Sequence, residues 1–400
     1  MIENNYQQRK RPYYDIFLFL MLIAANLGEI ASVGRLKLSW FFGVCIFFAI
    51  FTLYNDDKKL FHISNKKRYA LFFIIFWFCY GFIQFLFTFN QAYSISFFTI
   101  LLVNCLILFQ VILQSKNEHD VLYYNRAMII ALAINILVGL WEVKTGNHLV
   151  KLEGEKNIEY YSNKALGVFG NGNDFSTFLY LGIVSLFISL FYEKKHKFLH
   201  IIMIFASLFL ILVIGARGPL YGVIIFLIAF PMCYFLIKHI NKNVLTVFIC
   251  ILILLVMIFF IRYPLEELVY QFSSSGNWRS DLYRVDLIKG SLQLLLQSYL
   301  LGVGPGQSTN QLGMNPHNFY VELLADYGIF IFGGIVFLFS ELLFSFKKIK
   351  NTKLASLNMA FVLSFLIASV SSSGANRIRA TWIIISILLS LLFSEEEMHE

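Results

Sequence analysis

Apolar segments long enough to cross a bilayer recur along this chain, and they restrict its fold more than any other feature. They fall near residues 16–30, 38–54, 69–87, 95–113, 127–141, 175–192, 198–214, 219–237, 244–261, 328–346, 354–371 and 380–394. A helix needs about 20 apolar residues to traverse the hydrocarbon core, so the first, fifth and last are short. Of the 400 residues, 58% are hydrophobic and 14% charged, and the mean hydropathy is +0.70. A soluble globule carries about a quarter charged residues. The expectation is an all-α, polytopic integral membrane bundle of about 12 transmembrane helices, forming one membrane domain over residues 1–400.

The net charge of +8 is a topology signal rather than a nucleic-acid signal, because most basic residues lie in short runs between spans. The N-terminus and alternate short loops hold 19 Lys and Arg, and the opposite short loops hold 5. This bias places both termini in the cytoplasm of a cell-membrane protein. Two long polar segments, 142–174 and 262–327, then lie on the external face. Chemistry is expected there, since nothing comparable projects inward. Arg9, Lys10 and Arg11 ahead of the first span resemble a signal peptide, with Ala31-Ser32-Val33-Gly34 able to pass for a cleavage site. The spans that follow favour an uncleaved first helix. Cys45, Cys79, Cys105, Cys233 and Cys250 all fall in apolar spans, so neither a disulfide nor a zinc site is expected.

The least anchor-like stretch is Gly302 to Gly328. Its glycines at 302, 304 and 306 lead to Asn315-Pro316-His317-Asn318 and then a helical pattern. Asn315 fits an N-cap and Pro316 a first helical residue, which puts His317 in the first turn. There the positive helix end disfavours imidazolium, leaving His317 able to accept a proton. The plainer reading is a capped loop before a membrane helix. The glycines read as a flexible turn, with a phosphate nest as the weaker alternative. Upstream, residues 281–300 place Leu282, Val285, Ile288, Leu292, Leu295 and Leu296 at helical spacing, as in an amphipathic helix on the outer membrane surface.

Of eight histidines, His148 and His317 face outward, and His317 has the defined context. Among outward arginines, Arg217 sits in a glycine-flanked turn, and with Arg284 it supplies two planar forks suited to a diphosphate. Arg262, Arg377 and Arg379 read as boundary residues that snorkel to headgroups. The external acids form no Asp-x-Asp pair and no oxygen cage, so no metal site and no cofactor is expected. Polar residues inside spans, Asn26, Gln84, Asn104, Gln110, Asn135 and Asn358, are scattered. A transporter, for which midplane polar groups are expected, is therefore disfavoured.

Three islands together resemble the O-antigen ligase and polymerase family of bacterial envelope glycan enzymes (Wzy and WaaL types). They are Gly167-Val168-Phe169-Gly170-Asn171-Gly172-Asn173-Asp174 before a span, Ala216-Arg217-Gly218 at a span end, and Arg284 placed 18 residues before Gly302 and followed by Asn315-Pro316-His317-Asn318. The resemblance implies a lipid-donor glycosyltransferase (GT-C-like) bundle acting on a glycan carried by undecaprenyl diphosphate in membrane lipid. A chain-length regulator and a flippase are possible partners. It implies His317 as the essential histidine, and Arg217 and Arg284, with Arg279 as the alternative to Arg284, as diphosphate contacts. Asn318 and Asn173 are implied as substrate contacts. Ile288 departs from the aromatic often found at that position, which leaves the choice between Arg284 and Arg279 open. The implied activity is a metal-independent, inverting polysaccharide polymerase for O-antigen, capsule or exopolysaccharide, with a ligase as the alternative.

Overall fold

The computed structural model describes residues 13–28, 30, 32–33, 36–37, 64–150, 164–193, 195–247, 278–370 and 376–397, of which 13–14, 32–33, 36–37 and 278–282 as backbone only. The helices are α1 (Tyr13–Asn26), α2 (Asn65–Leu86), α3 (Gln91–Gln114), α4 (Glu118–Thr145), α5 (Gly172–Tyr192), α6 (Lys197–Ile214), α7 (Arg217–His239), α8 (Trp278–Gln297), α9 (Gln307–Leu312), α10 (Phe319–Leu343), α11 (Thr352–Ala368) and α12 (Arg379–Glu397). A two-residue hairpin pairs Ser32 with Lys37 after α1.

Seven of these, α2 to α7 and α10, are long and apolar enough to cross a membrane, which makes this a multi-pass membrane helical protein. The expected count of twelve is not confirmed. Span 38–54 and most of 244–261 lie outside the described residues, α1 and α11 have 14 and 17 residues, and α12 closes on Glu395–Glu397. Two boundaries differ from the hydropathy reading for clear reasons. Helix α4 runs 28 residues because Asn117 caps it, its Oδ1 accepting the Asp120 N–H at 3.0 Å, and Gly146 ends it in the left-handed region at φ 69°. Helix α10 starts at Phe319, nine residues before the expected span, and passes through a non-helical Gly328.

The C-terminal helix α12 is the axis of the bundle. Every residue from Ala380 to Ser394 is buried, and its serines and threonine let α3, α4, α5 and α10 approach closely. Trp382 packs edge-on against Trp77 of α2, with ring centroids 5.0 Å apart, and also meets Phe319 at the start of α10. Polar residues inside spans tie helices together. Asn125 of α4 donates to Ser185 O and Ser189 Oγ of α5, Asn135 donates to Asn26 O, and Tyr180 bonds Ser364 at 2.6 Å. These scattered amides and hydroxyls therefore act as interhelical fastenings.

Contacts between described loops and helix ends fall into two groups. At one end Lys66 pairs with Glu396, Lys67 donates to Ser115 O, and Arg126 pairs with Glu193. At the other, the start of α10 meets the end of α11, where the Phe319 N–H donates to Ser369 O. Helix α7 joins there too, since a Cβ on Gly222 would lie 2.6 Å from Ala368 Cβ. We predict that Gly222→Leu, by forcing α7 from α11, costs about 1–3 kcal/mol. It should lower the thermal midpoint in detergent. Gly333→Ala, with nothing within 4 Å of the new methyl, should leave that midpoint unchanged or higher.

Candidate active site

The glycine-rich loop is held to α10 backbone to backbone. The Val303 N–H donates to Ala325 O, Gly304 N–H to Asp326 O and Ile329 N–H to Leu300 O, at 2.9–3.0 Å. Gly302 and Gly328 stand where the strands of this contact cross. Both have positive φ, and a Cβ on either would come within 2.5 Å of opposing backbone. The Asp326 carboxylate completes the seam, accepting Gly306 N–H and Ser308 N–H at 2.9 Å each. Of the three amides read as a weak phosphate nest, the Gly306 N–H is thus aimed at a carboxylate of the protein, the Gly304 N–H at a backbone carbonyl and the Gly302 N–H at Ser298 Oγ. From α2 and α3, Gln84 donates to Leu301 O, and Gln307 donates to Ser94 Oγ, which in turn donates to Pro305 O.

His317 stands just outside α10, which corrects the expected cap. Asn315 Oδ1 accepts the His317 N–H at 2.9 Å, and His317 itself takes a left-handed φ of 53°, so no helix can start at Pro316. Asn318 is the cap instead, its Oδ1 accepting Tyr320 N–H and Val321 N–H at 3.1 and 3.2 Å. The carbonyl oxygen of this asparagine side chain, expected at the substrate, holds the helix start. Burial foremost, then the Arg284 and Arg377 guanidinium charges, holds the His317 pKa below the usual histidine value. The shift favours the neutral imidazole, and its cause is burial and neighbouring cations rather than the helix end. Its Nδ1 is buried and makes no hydrogen bond among the described residues.

Arg284 lies half-buried on α8, whose Val285, Leu287, Leu294 and Leu295 are buried while Leu292 and Leu296 are exposed. The packed face therefore meets α10 and α9, rotated from the stripe read in the sequence. Arg279 belongs to the same helix, with only its backbone described. Arg217 is exposed at the first turn of α7, at the same end of the bundle as His317. Asn173 is in the first turn of α5, its N–H donating to the Asn171 cap. The α6–α7 turn lies alongside, since a Cβ on Gly172 would be 2.8 Å from Ile214. Glu142 orders this island by accepting Leu166 N–H and Gly167 N–H at 2.7 Å and pairing with His148. Arg35, Arg262, Glu153, Glu155, Glu159, Glu266, Glu267, Cys45 and Cys250 lie outside the described residues.

Three side chains gain a place that the sequence reading did not give them: Arg377, Glu322 and Asp326. Arg377 Nη2 reaches Glu322 Oε1 at 3.4 Å and Thr309 Oγ1 at 3.3 Å. An available signal was the pair of acids four residues apart on an otherwise apolar helix, because carboxylates in a span are kept for a purpose. Asp326→Ala leaves two buried amides without an acceptor and should cost about 1–3 kcal/mol for each. Asp326→Asn, retaining one acceptor oxygen, should cost less, as thermal unfolding in detergent will report.

An O-Antigen ligase family model matches residues 201–339, a segment that contains Arg217, Arg284, His317, Glu322 and Asp326. The chain is also 22% identical over 407 residues to the Teichuronic acid biosynthesis protein TuaE of Bacillus subtilis (strain 168), an alignment covering 94% of this chain and 79% of the relative. Together the two findings support the O-antigen ligase/polymerase family for this chain.

Proposed function

We propose that this protein is a glycosyltransferase of the polymerase type, joining lipid-linked repeat units into an envelope polysaccharide. The carrying observation is a part-buried histidine whose Nδ1 makes no hydrogen bond among the described residues and whose pKa is held down by burial and by the charges of Arg284 and Arg377, at one end of a membrane bundle. The teichuronic acid relative supports an envelope polysaccharide as product. The family model, described as a ligase, favours a second reading in which the glycan moves to a different acceptor.

In the proposed reaction His317 takes the proton of an acceptor sugar hydroxyl. That oxygen attacks the anomeric carbon of a glycan on undecaprenyl diphosphate, the bond from carbon to diphosphate oxygen breaks, and the configuration inverts. Arg284 and Arg217 offset the charge that collects on the departing diphosphate. Glu142, Glu322 and Asp326 are already engaged by protein donors. The reaction is assigned to the external face, with residues 142–174 and 262–327 as its outer loops and both termini in the cytoplasm. Asn173 and Asn318 border the sugars, the latter through its amide nitrogen, and Arg279 is held as a further cation on α8.

With the purified protein in lipid and the lipid-linked repeat unit as the only glycan, a ladder of products is expected. Transfer appearing only after a separate acceptor is added would establish the ligase instead. His317→Ala should lower the rate by about 10² to 10⁴. The histidine must be neutral to act, so the rate should be flat near neutrality and fall as pH drops through a value below 6.5. Arg284→Gln removes a neighbouring positive charge, raises that pKa and should move the acid limb to higher pH. A limb that stays in place would separate Arg284 from His317.

A further inference from the structure

Arg377 is more firmly mounted than a boundary arginine. The carbonyl of the preceding residue, Asn376, accepts hydrogen bonds from Asn104 Nδ2 of α3 and Trp382 Nε1 of α12, both at 2.9 Å. Two buried donors on one carbonyl fix the backbone from which the side chain extends. Its guanidinium carbon lies 4.3 Å from the Phe97 ring centroid, so the fork is stacked as well as mounted.

Among the described residues its hydrogen bonding is incomplete by comparison. A guanidinium has five N–H donors. The contacts to Glu322 and Thr309 both come from Nη2 and are long, where a charge-assisted pair closes to about 2.7–2.9 Å. Nε is buried and finds no acceptor among the described residues. The side chain is still 30% exposed, so a ligand can reach it. Its charge acts on His317 together with that of Arg284.

We propose that Arg377 is a third cationic ligand for the diphosphate of a lipid-linked donor, held ready by Phe97 and Glu322 and completing its hydrogen bonds on phosphate oxygens. This rests on the diphosphate-donor reading above. A diphosphate presents paired oxygens and more than one negative charge, so it is a better bidentate partner for the fork than the single distant Glu322 oxygen.

The competing role is a staple between α3, α9, α10 and α12. Arg377→Ala cannot separate the two, because it strands a buried carboxylate and so destabilises the site itself. The double variant Arg377→Gln/Glu322→Gln removes both charges and keeps two amides that can pair. Arg377→Lys keeps the charge opposite Glu322 but loses the fork.

Each variant in nanodiscs is titrated with undecaprenyl diphosphate carrying no sugar, its thermal midpoint being measured alongside. The expected result is wild-type binding, roughly tenfold or greater loss of affinity in the double variant with its midpoint retained, and a several-fold loss in Arg377→Lys. Wild-type affinity in both variants would overturn the proposal and leave the staple, with the donor reading intact. An Arg377→Lys variant at full affinity overturns it even if the double variant fails to fold. Failure of the wild-type protein to bind the lipid diphosphate would overturn the donor reading itself, and this proposal with it.

Discussion

The arrangement depends on two carboxylates placed one helical turn apart on α10. Asp326 takes up two loop amides, and Glu322 faces Arg377. Both are buried, and a buried carboxylate must be hydrogen-bonded or paired to be tolerated. That requirement fixes the geometry in both directions. The glycine loop must lie against α10 to satisfy Asp326, and the α11–α12 connection must bring Arg377 over α10 to face Glu322. His317 lies between these two anchorages in sequence, after the loop and before the helix, and its backbone follows from theirs.

The same economy explains the supporting helices. Asn104 inside α3 looks out of place in a membrane segment until its amide is seen to hold the carbonyl beside Arg377. Trp382 reaches the same carbonyl while packing against Trp77 and Phe319, so the buried axis of the bundle and the start of α10 share one fastening. In surroundings of low dielectric such bonds have no water to compete with, and they hold backbone segments in register. The proposed chemistry needs this. A histidine that is to act as a base has to stay neutral beside guanidinium groups, and burial with cations nearby keeps it so.

Much of this was legible in the sequence, for physical reasons that also set the limits. Hydropathy located the cores of the seven described spans because lipid imposes length and apolarity. Hydropathy was silent about polar turns that extend a helix, so the start of α4 at Glu118 and of α10 at Phe319 were missed. The Asn315-Pro316-His317-Asn318 run contains two asparagines, either of which could cap a helix by residue type. Spacing alone could not tell that Asn315 closes a turn on His317 while Asn318 caps the helix. Arg377 had no spacing signal, since its neighbours at Phe97, Thr309 and Glu322 come from three separate segments. The glycines at 302 and 328 looked like loop punctuation, and only their mutual approach gives the reason for them.

The most direct measurement is a cryo-electron microscopy structure of the protein in nanodiscs with undecaprenyl diphosphate bound. The account predicts the diphosphate against Arg284 and Arg377 beside His317, with phosphate oxygens about 2.7–2.9 Å from guanidinium nitrogens. A diphosphate bound at the opposite end of the bundle, or one engaging neither arginine, would contradict it.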